Sequence, residues 1–542
     1  MARQLVRGWR VWPAAGVSLV LLNASLTFEN VWPTPAIRFG TALSIELAAC
    51  VLLLAAARRW APRLARILAA VWVLLVIGRY LAVTGPGLYG REFNLYWDSA
   101  HLGNVAAMLA RAAPWWLVAS VVVSAAVAVG VVYVVARLAL RHVAAAMERR
   151  GGRLALGSLA AAIILLYGVA TPVDTNPHIE ADIDVGPIRA AFARPVTPAY
   201  VRQARFVLAT TGQAARPLPA GPSLDANLRA LAGADVLLVF LESYGAVTYD
   251  EPAVAAGLAG ARAALDAAVQ QTGRRIVSAY VASPTFGASS WLAHLTLLTG
   301  VEVRDQYAYA ALMASRRETI LAAFERRGYR TVALMPGMRQ AWPEGQFYGF
   351  DAVYGRDDLA YPGPQFGWWS IPDQYALAKL DDLERTRRPR APVFAVFPTS
   401  STHAPFGPVA PYQPDWARLL TREPYDVRDA ARALGERPDL RNLRPSYVRA
   451  TAYEFESLAG YLRRREDDLV LIVVGDHQPP SAVSGPTAPW DVPVHVIGRS
   501  GEVLDRLLAH GFRPGLIPER PSVGGMHALA PMLLDAFSEP ED

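Results

Sequence analysis

The chain has 542 residues, a formal net charge of +6 and a mean hydropathy of +0.21. A chain of this length is too long for one domain and can bury a substantial core. Its only cysteine, Cys50, excludes an internal disulfide framework and a zinc site built from several cysteines. The positive charge is modest and its arginines cluster beside apolar runs, which favours membrane topology over nucleic-acid binding, so no nucleic-acid partner is expected.

Five apolar runs near the N-terminus are each long enough to cross a bilayer. They cover residues 11–28, 39–57, 67–84, 114–136 and 154–172. The basic residues before the first run are typical of a signal peptide, but no small-residue cleavage site follows, which indicates an uncleaved anchor. The sequence therefore predicts a transmembrane domain of five helices over residues 1–172.

Arginines are distributed unevenly among the loops that flank these runs. They concentrate before the first run, between the second and third, and between the fourth and fifth, whereas the other two loops carry few. Because positively charged loops stay in the cytoplasm, the N-terminus is predicted to be cytoplasmic. An odd number of crossings then leaves the chain after about residue 173 outside. The predicted location is a bacterial inner (cytoplasmic) membrane, with the C-terminal domain on the periplasmic or extracellular side.

The remainder of the chain has two parts. Residues 173–232 are rich in proline, alanine and glycine without a strong period, which indicates a linker with short helices. Strands are predicted at 235–243, 274–283, 329–336, 391–400 and 468–476, and helices at 290–300 and 445–465. Uninterrupted apolar strands separated by helices predict an α/β domain over 233–542 with a mostly parallel sheet covered on both faces.

Polar residues with metal-binding and catalytic capacity follow several of these strands. Glu242, His403 and the pair Asp476–His477 each stand where an apolar strand ends. Ligands of open α/β sheets bind beyond the carboxyl ends of the strands, so these side chains are expected at one edge. Any one of them alone could be an ordinary polar residue at a strand end, but four at one edge weaken that interpretation. Carboxylates and an imidazole can hold a divalent cation such as Zn²⁺, Mn²⁺ or Mg²⁺, and the single carboxylate after the first strand favours one cation over two.

Two serines, Ser289 and Ser290, begin the helix predicted at 290–300. The ordinary interpretation is capping, because serine is a preferred N-cap residue. The functional interpretation uses the same geometry, since free N–H groups and the positive end of the helix dipole favour a bound phosphate. A metal ion beside the hydroxyl would lower its pKa and make it a nucleophile.

Four stretches of sequence, in this order and spacing, resemble the sulfatase-like branch of the alkaline phosphatase superfamily. They are VFLESYG, SPTFGASSWLAHLTLLTG, FPTSSTHAPF and VVGDHQPP. With five membrane spans ahead of them, they look like lipoteichoic acid synthases and lipid A phosphoethanolamine transferases. The resemblance covers about residues 233–535, and reaches the membrane part by topology only.

The resemblance implies a role for each candidate at the sheet edge. Glu242, Asp476 and His477 would be metal ligands. The family's nucleophile stands nine residues before the Thr-Gly that closes the helix, which gives Ser290 as nucleophile and further metal ligand, with Ser289 as the fallback. His403 would contact the transferred phosphoryl group or protonate the leaving group.

Three further residues are candidates for substrate contact. Arg339 and Trp342 fall where such enzymes place contacts to the substrate headgroup, although the spacing does not match cleanly. His294, one turn into the helix after Ser290, would also contact substrate, or would simply pack the helix.

Two departures from the family pattern narrow the expected chemistry. Ala293 and His294 stand where true sulfatases have the Ser-Arg of their formylglycine motif, so neither formylglycine nor sulfatase activity is expected. Phosphoethanolamine transferases usually carry several disulfides in the exported domain, whereas this chain has none. The difference favours a phosphoglycerol-type or related headgroup.

The implied function is metal-dependent transfer of a phospho-headgroup from a membrane phospholipid to an envelope glycan or lipid. The headgroup would be of the phosphoglycerol or phosphoethanolamine type, and the intermediate a phospho-serine. One alternative is a phosphodiesterase or phosphatase that uses the same residues with water as the acceptor. The other is a non-catalytic membrane scaffold, which predicts the loss of metal ligands, yet all four candidates are present.

Overall fold

The computed structural model describes most of the chain. It covers residues 2–31, 36–57, 61–89, 115–170, 191–211, 220–338, 342, 345–367, 371–386, 389–439, 442–485 and 487–539. The chain divides into two compact units with their main boundary after Ala214.

The first unit consists mainly of apolar helices. The helices are α1 (Ala2–Thr27), α2 (Ile45–Ala57), α3 (Ala61–Tyr89), α4 (Trp115–Ala146), α5 (Arg150–Ala170) and α6 (Thr197–Thr211). A short hairpin of β1 (Glu29–Asn30) and β2 (Ile37–Arg38) follows α1. Side chains from α1 to α5, among them Leu22, Leu54, Trp72 and Leu140, pack into one apolar core.

The helices of this unit only partly match the five predicted spans. Within the described residues, three are long and apolar enough to cross a membrane, at Arg63–Gly85, Trp115–Ala146 and Arg150–Gly168. The first two predicted spans fall in α1 and α2, whose apolar stretches among the described residues are Val11–Thr27 and Ile45–Ala57. A fourth helix that meets the same length and composition, Pro252–Gln271, belongs to the second unit. There it packs against a long helix, with Leu258 and Leu265 buried, so its apolar composition is that of a core helix.

The second unit alternates strands and helices around one eight-stranded sheet. Its strands are β3 (Asp235–Leu241), β4 (Arg275–Ala282), β5 (Arg330–Leu334), β6 (Ala352–Tyr354), β7 (Val393–Pro398), β8 (Leu469–Gly475), β9 (Asp491–Gly498) and β10 (Arg513–Pro514). Its helices up to the middle of the unit are α7 (Val247–Asp250), α8 (Pro252–Gln271), α9 (Ser290–Thr299), α10 (Gln306–Met313), α11 (Ile320–Arg326), α12 (Gly345–Tyr348), α13 (Arg356–Leu359) and α14 (Asp373–Glu384). The remaining helices are α15 (Trp416–Leu419), α16 (Val427–Gly435), α17 (Arg444–Arg464), α18 (Ser481–Ser484), α19 (Gly501–Ala509) and α20 (Leu529–Phe537).

The strand order is β10-β4-β9-β8-β3-β7-β5-β6. Strands β8, β3, β7, β5 and β6 are mutually parallel, while β9 is antiparallel to both β8 and β4. Strand β4 therefore points the same way as the parallel strands, and its C-terminal end lies at the same edge of the sheet. The prediction of a mostly parallel sheet is confirmed, with β9 and β10 as the strands that run in reverse.

Both faces of the sheet are covered by apolar layers. Successive residues of β3 alternate between the two layers, because side chains of a strand point to opposite faces. One layer takes Val236, Leu238 and Phe240, and the other takes Leu237, Val239 and Leu241. A strand that is buried on both faces needs an unbroken apolar run, which is why its sequence lacks polar alternation.

Candidate active site

Polar residues converge at the C-terminal edge of this sheet. Glu242 directly follows β3, the pair Asp476–His477 follows β8, Ser290 opens α9 after β4, and His403 follows β7. Glu242 is 9% exposed, and Asp476 and His477 are each 1% exposed. The fold thus brings the predicted candidates to one edge, as the strand ends indicated.

The Ser290 hydroxyl faces a carboxylate and an imidazole. Its Oγ donates a hydrogen bond to Glu242 Oε2 at 2.9 Å and lies 3.2 Å from His477 Nε2. Ser289 occupies the N-cap position of α9 with φ of 70° and makes no side-chain capping bond. A left-handed backbone at a residue other than glycine is strained. The strained turn directs the second hydroxyl of the pair into the cluster.

The orientation of His477 leaves one ring nitrogen for the cluster. Its Nδ1 lies 2.8 Å from the Gln478 carbonyl oxygen and must donate to it. Nε2 therefore presents its lone pair when the ring is neutral. This nitrogen lies 3.5 Å from Glu242 Oε1 and 3.6 Å from Asp476 Oδ2. A backbone acceptor on the far nitrogen is the arrangement typical of a metal-ligating histidine.

The two carboxylates each turn an oxygen toward this nitrogen. Asp476 Oδ1 accepts from the backbone N–H groups of Ser243 at 2.8 Å and His477 at 2.7 Å. Asp476 Oδ2 is buried and, within the described part of the chain, has no hydrogen-bond donor. A buried carboxylate oxygen without a partner is costly unless a cation meets it. The ligand atoms of Glu242, Asp476 and His477 lie within 4.8 Å of one another, so the donor set fits one divalent cation.

The pKa values of the two carboxyl groups are displaced in opposite directions. Burial raises the pKa of Asp476, and the neighbouring charge of Glu242 adds to it, bringing it to about 7. Burial also opposes ionisation of Glu242, but His477, His403 and the hydroxyls of two serines outweigh it, and its pKa falls to about 2. The charge of His403 is thus one of the causes of the low pKa of Glu242.

His294 and Trp342, two further candidates, have mainly packing contacts. The His294 ring tilts against Phe240 with 4.4 Å between ring centroids, and its buried Nε2 has no hydrogen-bond partner among the described residues. Burial lowers the pKa of His294 to about 4, so the ring is neutral. Trp342 packs on Tyr348 at 5.2 Å and on Phe350 at 6.4 Å between centroids. Their contact with substrate stays a prediction, and the candidate Arg339 lies outside the described residues.

Ser243 and Thr399 support the cluster but were not among the sequence candidates. Ser243 adopts a left-handed φ of 58°, and its hydroxyl donates to Glu242 Oε1 at 2.7 Å. Thr399 Oγ1 accepts from the Glu242 backbone N–H at 3.0 Å. Thr399 directly follows its buried strand, and Ser243 is one residue further from its own. The sequence feature that could have identified them is this position at a strand end, but small hydroxyl residues there are easily taken for turn residues.

One family model matches the region that contains this cluster. The model is described as Sulfatase, and it matches residues 235–494. This segment is a sulfatase-like domain. Such domains belong to the alkaline phosphatase superfamily, whose members are phosphotransferases or hydrolases.

Several solved structures are also similar at low identity. The lipoteichoic acid synthase LtaP from Listeria monocytogenes is 17% identical, with 62% of this chain and 80% of that chain covered and a TM-score of 0.38. The phosphoglycerol transferase GacH from Streptococcus pyogenes is 13% identical, with 63% and 82% covered and a TM-score of 0.35. The periplasmic domain of EcEptC from Escherichia coli is 13% identical, with 50% and 73% covered and a TM-score of 0.34. Comparison with curated proteins gave no match.

Metal binding to the sulfatase-like domain is expected to weaken as the pH falls below about 7. Asp476, whose pKa is raised to about 7, takes up a proton there, and a cation must displace that proton. The charges of Asp476 and Glu242 outweigh burial and raise the pKa of His477 as well, so its proton adds to the competition. The affinity for Zn²⁺ or Mn²⁺ should therefore fall at least about tenfold for each pH unit below 7. Calorimetric titration between pH 5.5 and 8 measures this, and an affinity independent of pH would contradict it.

Close backbone approach at Gly475 makes this residue sensitive to substitution. A Cβ atom at Gly475 would overlap the carbonyl oxygen of Tyr244, in the turn that follows Glu242. We expect Gly475→Ala to separate β8 from this turn and to destabilise the sulfatase-like domain by about 2 kcal/mol, with weaker metal binding. Thermal denaturation and metal titration measure the two effects. The control is Gly435→Ala, where a Cβ meets nothing within 4 Å, and equal melting temperatures for the two variants would contradict the expectation.

Proposed function

We propose that the protein transfers a phospho-headgroup from a membrane phospholipid to an envelope glycan or lipid acceptor. The headgroup is of the phosphoglycerol or phosphoethanolamine type, and Ser290 carries it as a phospho-serine intermediate. The observation that supports this most strongly is the Ser290 hydroxyl at a helix N-terminus, hydrogen-bonded to Glu242 at 2.9 Å and 3.2 Å from His477. A hydroxyl in this setting is an activated nucleophile.

The metal site of the proposal uses four side chains. Glu242, Asp476, His477 and the Ser290 hydroxyl would hold one divalent cation, such as Zn²⁺, Mn²⁺ or Mg²⁺. When bound, the cation supplies positive charge that lowers the pKa of the Ser290 hydroxyl and offsets phosphoryl charge. Two features support this assignment: Asp476 Oδ2 has no donor among the described residues, and His477 Nε2 faces the cluster because Nδ1 donates to a backbone carbonyl.

In the first step the Ser290 oxygen attacks the phosphorus of the donor lipid. The Ser290 hydroxyl gives up its proton to solvent, and its oxygen forms a bond to phosphorus. The bond from phosphorus to the diacylglycerol oxygen breaks, and its electron pair leaves with that oxygen. We assign His403 the role of contacting the phosphoryl group or giving the leaving oxygen its proton. The Nδ1 of His403, 2.8 Å from the Ala404 carbonyl oxygen, fixes the ring orientation.

In the second step an acceptor hydroxyl attacks the phospho-serine. The acceptor oxygen forms a bond to phosphorus as its hydroxyl loses its proton, the bond from phosphorus to the Ser290 oxygen breaks, and the Ser290 oxygen takes up a proton. The first turn of α9 aids both steps, because the positive end of the helix dipole favours negative charge on the phosphoryl oxygens.

The membrane part of the proposal keeps the five spans of the sequence analysis. Residues 1–172 would be the membrane domain, 173–232 the linker and 233–542 the outward-facing catalytic domain of an inner-membrane protein, with a cytoplasmic N-terminus. The three long apolar helices support it, as do the apolar stretches Val11–Thr27 and Ile45–Ala57 within α1 and α2. Because Cys50 is the only cysteine, single cysteines placed in each loop of a Cys50→Ser chain can report the side of the membrane by labelling. Labelling of the N-terminus and the catalytic domain from the same side would contradict this topology.

The direct functional test is donor turnover by the purified full chain in vesicles. The vesicles contain phosphatidylglycerol or phosphatidylethanolamine with a labelled headgroup, a divalent cation and an envelope glycan or glycolipid acceptor. We expect diacylglycerol release together with label on the acceptor. Label only in free headgroup phosphate would instead assign a hydrolase, and no diacylglycerol from any donor would favour a scaffold.

A further inference from the structure

A second pair of buried carboxyl groups lies outside the cluster around Ser290. Asp373, the first residue of α14, is 0% exposed, and Glu454, within α17, is 1% exposed. The two carboxyl groups lie close enough for each to shift the pKa of the other. No basic side chain in the described part of the chain forms an ion pair with either of them. Two buried carboxyl groups in contact without a cation cannot both be ionised, so one of them holds a proton.

The hydrogen bonds assign this proton to Glu454. The Asp373 oxygens accept from the backbone N–H of Ser400 at 3.0 and 2.9 Å and of Ser401 at 2.6 Å. The Ser400 hydroxyl donates to Asp373 Oδ1 at 3.2 Å. A group that accepts from so many donors is ionised. By contrast Glu454 Oε1 is buried with no donor among the described residues, which favours the neutral form of this carboxyl group.

Electrostatics agree with this assignment. Burial raises the pKa of both carboxyl groups. The pKa of Glu454 is raised well above its ordinary value, because burial and the neighbouring Asp373 charge act in the same direction. For Asp373, the hydrogen bonds from Glu454, Ser400 and Ser401 oppose the effect of burial.

The turn that Asp373 holds is the segment Thr399–His403, which connects β7 to the catalytic edge. Its first residue binds the Glu242 backbone N–H at 3.0 Å through Oγ1. Its last residue, His403, donates its backbone N–H to the Ser400 carbonyl oxygen at 3.2 Å. The segment therefore contains the proposed catalytic residue His403 and binds Glu242. The backbone N–H groups of Ser400 and Ser401 donate to the Asp373 side chain, which belongs to α14.

We propose that Asp373 and Glu454 are positioning residues which, by sharing one proton, hold the segment Thr399–His403 and so place His403 near Glu242. The catalytic part of this inference rests on the function proposed above for His403. The positioning part does not, because it concerns the order of the segment itself.

The test compares two substitutions that change the pair in opposite ways. Glu454→Gln keeps a neutral donor beside Asp373, so the segment should stay ordered and donor turnover should stay within about threefold of wild type. Asp373→Asn keeps one oxygen acceptor but places an NH2 group where the other carboxylate oxygen accepts from the Ser400 or Ser401 amide. We expect hydrogen exchange of peptides that contain residues 399–403 to accelerate about tenfold or more, and kcat to fall about 30- to 100-fold.

The matched control is Asp382→Asn, in the same helix α14. Asp382 is 42% exposed in its side chain and pairs with Lys379 at 2.7 Å, so neither exchange nor turnover should change. Circular dichroism and melting temperature show whether each variant folds. If Asp373→Asn does not fold, Asp373→Glu, which keeps the acceptor but displaces it, should show the same local exchange effect in a folded protein.

Two outcomes would overturn the inference. Unchanged exchange of residues 399–403 in Asp373→Asn would show that the carboxylate does not hold the segment. Loss of order in Glu454→Gln equal to that in Asp373→Asn would show that Glu454 acts as an anion. Failure of this inference can be told apart from failure of the proposed function. If the wild-type protein had no donor turnover, the difference in hydrogen exchange of residues 399–403 between Asp373→Asn and Glu454→Gln would still be measurable.

Discussion

The variant Ser290→Ala is expected to lose at least about a thousandfold in donor turnover while it keeps its fold. The substitution removes the only atom that can carry the proposed phospho-serine, and the hydroxyl's hydrogen bond to Glu242 Oε2 at 2.9 Å is lost with it. The carboxylates and the imidazole remain, so metal binding should weaken but persist. Release of diacylglycerol from labelled phospholipid vesicles measures the first effect, and metal titration measures the second.

Ser289→Ala is the matched control for this variant. Ser289 precedes Ser290 in the same turn, has a left-handed φ of 70° and makes no side-chain capping bond. We therefore expect its loss of turnover to stay within about threefold. If Ser289→Ala were inactive while Ser290→Ala retained activity, the nucleophile would be the first serine of the pair. Full activity in both variants would remove the covalent mechanism.

The variant Asp476→Asn is expected to lose metal binding almost completely without loss of stability in the metal-free state. The Asn oxygen can still accept from the N–H groups of Ser243 and His477, which now bond to Asp476 Oδ1 at 2.8 and 2.7 Å. Its amide nitrogen replaces Oδ2, the buried oxygen that has no donor among the described residues. The metal-free protein therefore loses an unfavourable group, whereas a cation loses an anionic ligand.

The measurement is the rise in melting temperature on adding Zn²⁺ or Mn²⁺. A ligand at a hundred times its Kd stabilises the folded state by about 2.7 kcal/mol, so wild type should show a clear rise and Asp476→Asn should show almost none. Asp468→Asn is the control, because Asp468 is 70% exposed in its side chain and pairs only at the surface with Arg499. A metal-induced rise in Asp476→Asn equal to that of wild type would contradict the metal site.

The convergence of Glu242, His403 and Asp476 at one edge was predictable from the sequence. Each follows an apolar run long enough to be a strand, and parallel strands place their carboxyl ends together. Ser290 reaches that edge because it follows β4, which runs in the same direction as the parallel strands. Strand β9, which lies beside β4, runs the opposite way, and the sequence did not show this. Strand direction depends on which strands pair, and apolar runs do not encode that pairing.

Other parts of the site have no sequence signal of this kind. The backbone bond from Ser243 to Asp476 depends on a left-handed turn at a residue other than glycine. Asp373 and Glu454 are far apart in the chain, on helices whose apolar patterns indicate only packing. Their contact follows from the way α14 and α17 pack, and it becomes visible only in three dimensions.

The most direct measurement of the central claim is mass spectrometry of the full chain trapped during donor turnover. The mechanism predicts a phospho-headgroup adduct within residues 284–304, localised by fragmentation to Ser290, present in wild type and absent from Ser290→Ala. The mass of the adduct would identify the headgroup. Donor turnover with Ser290 unmodified, or the same adduct in Ser290→Ala, would contradict the covalent mechanism.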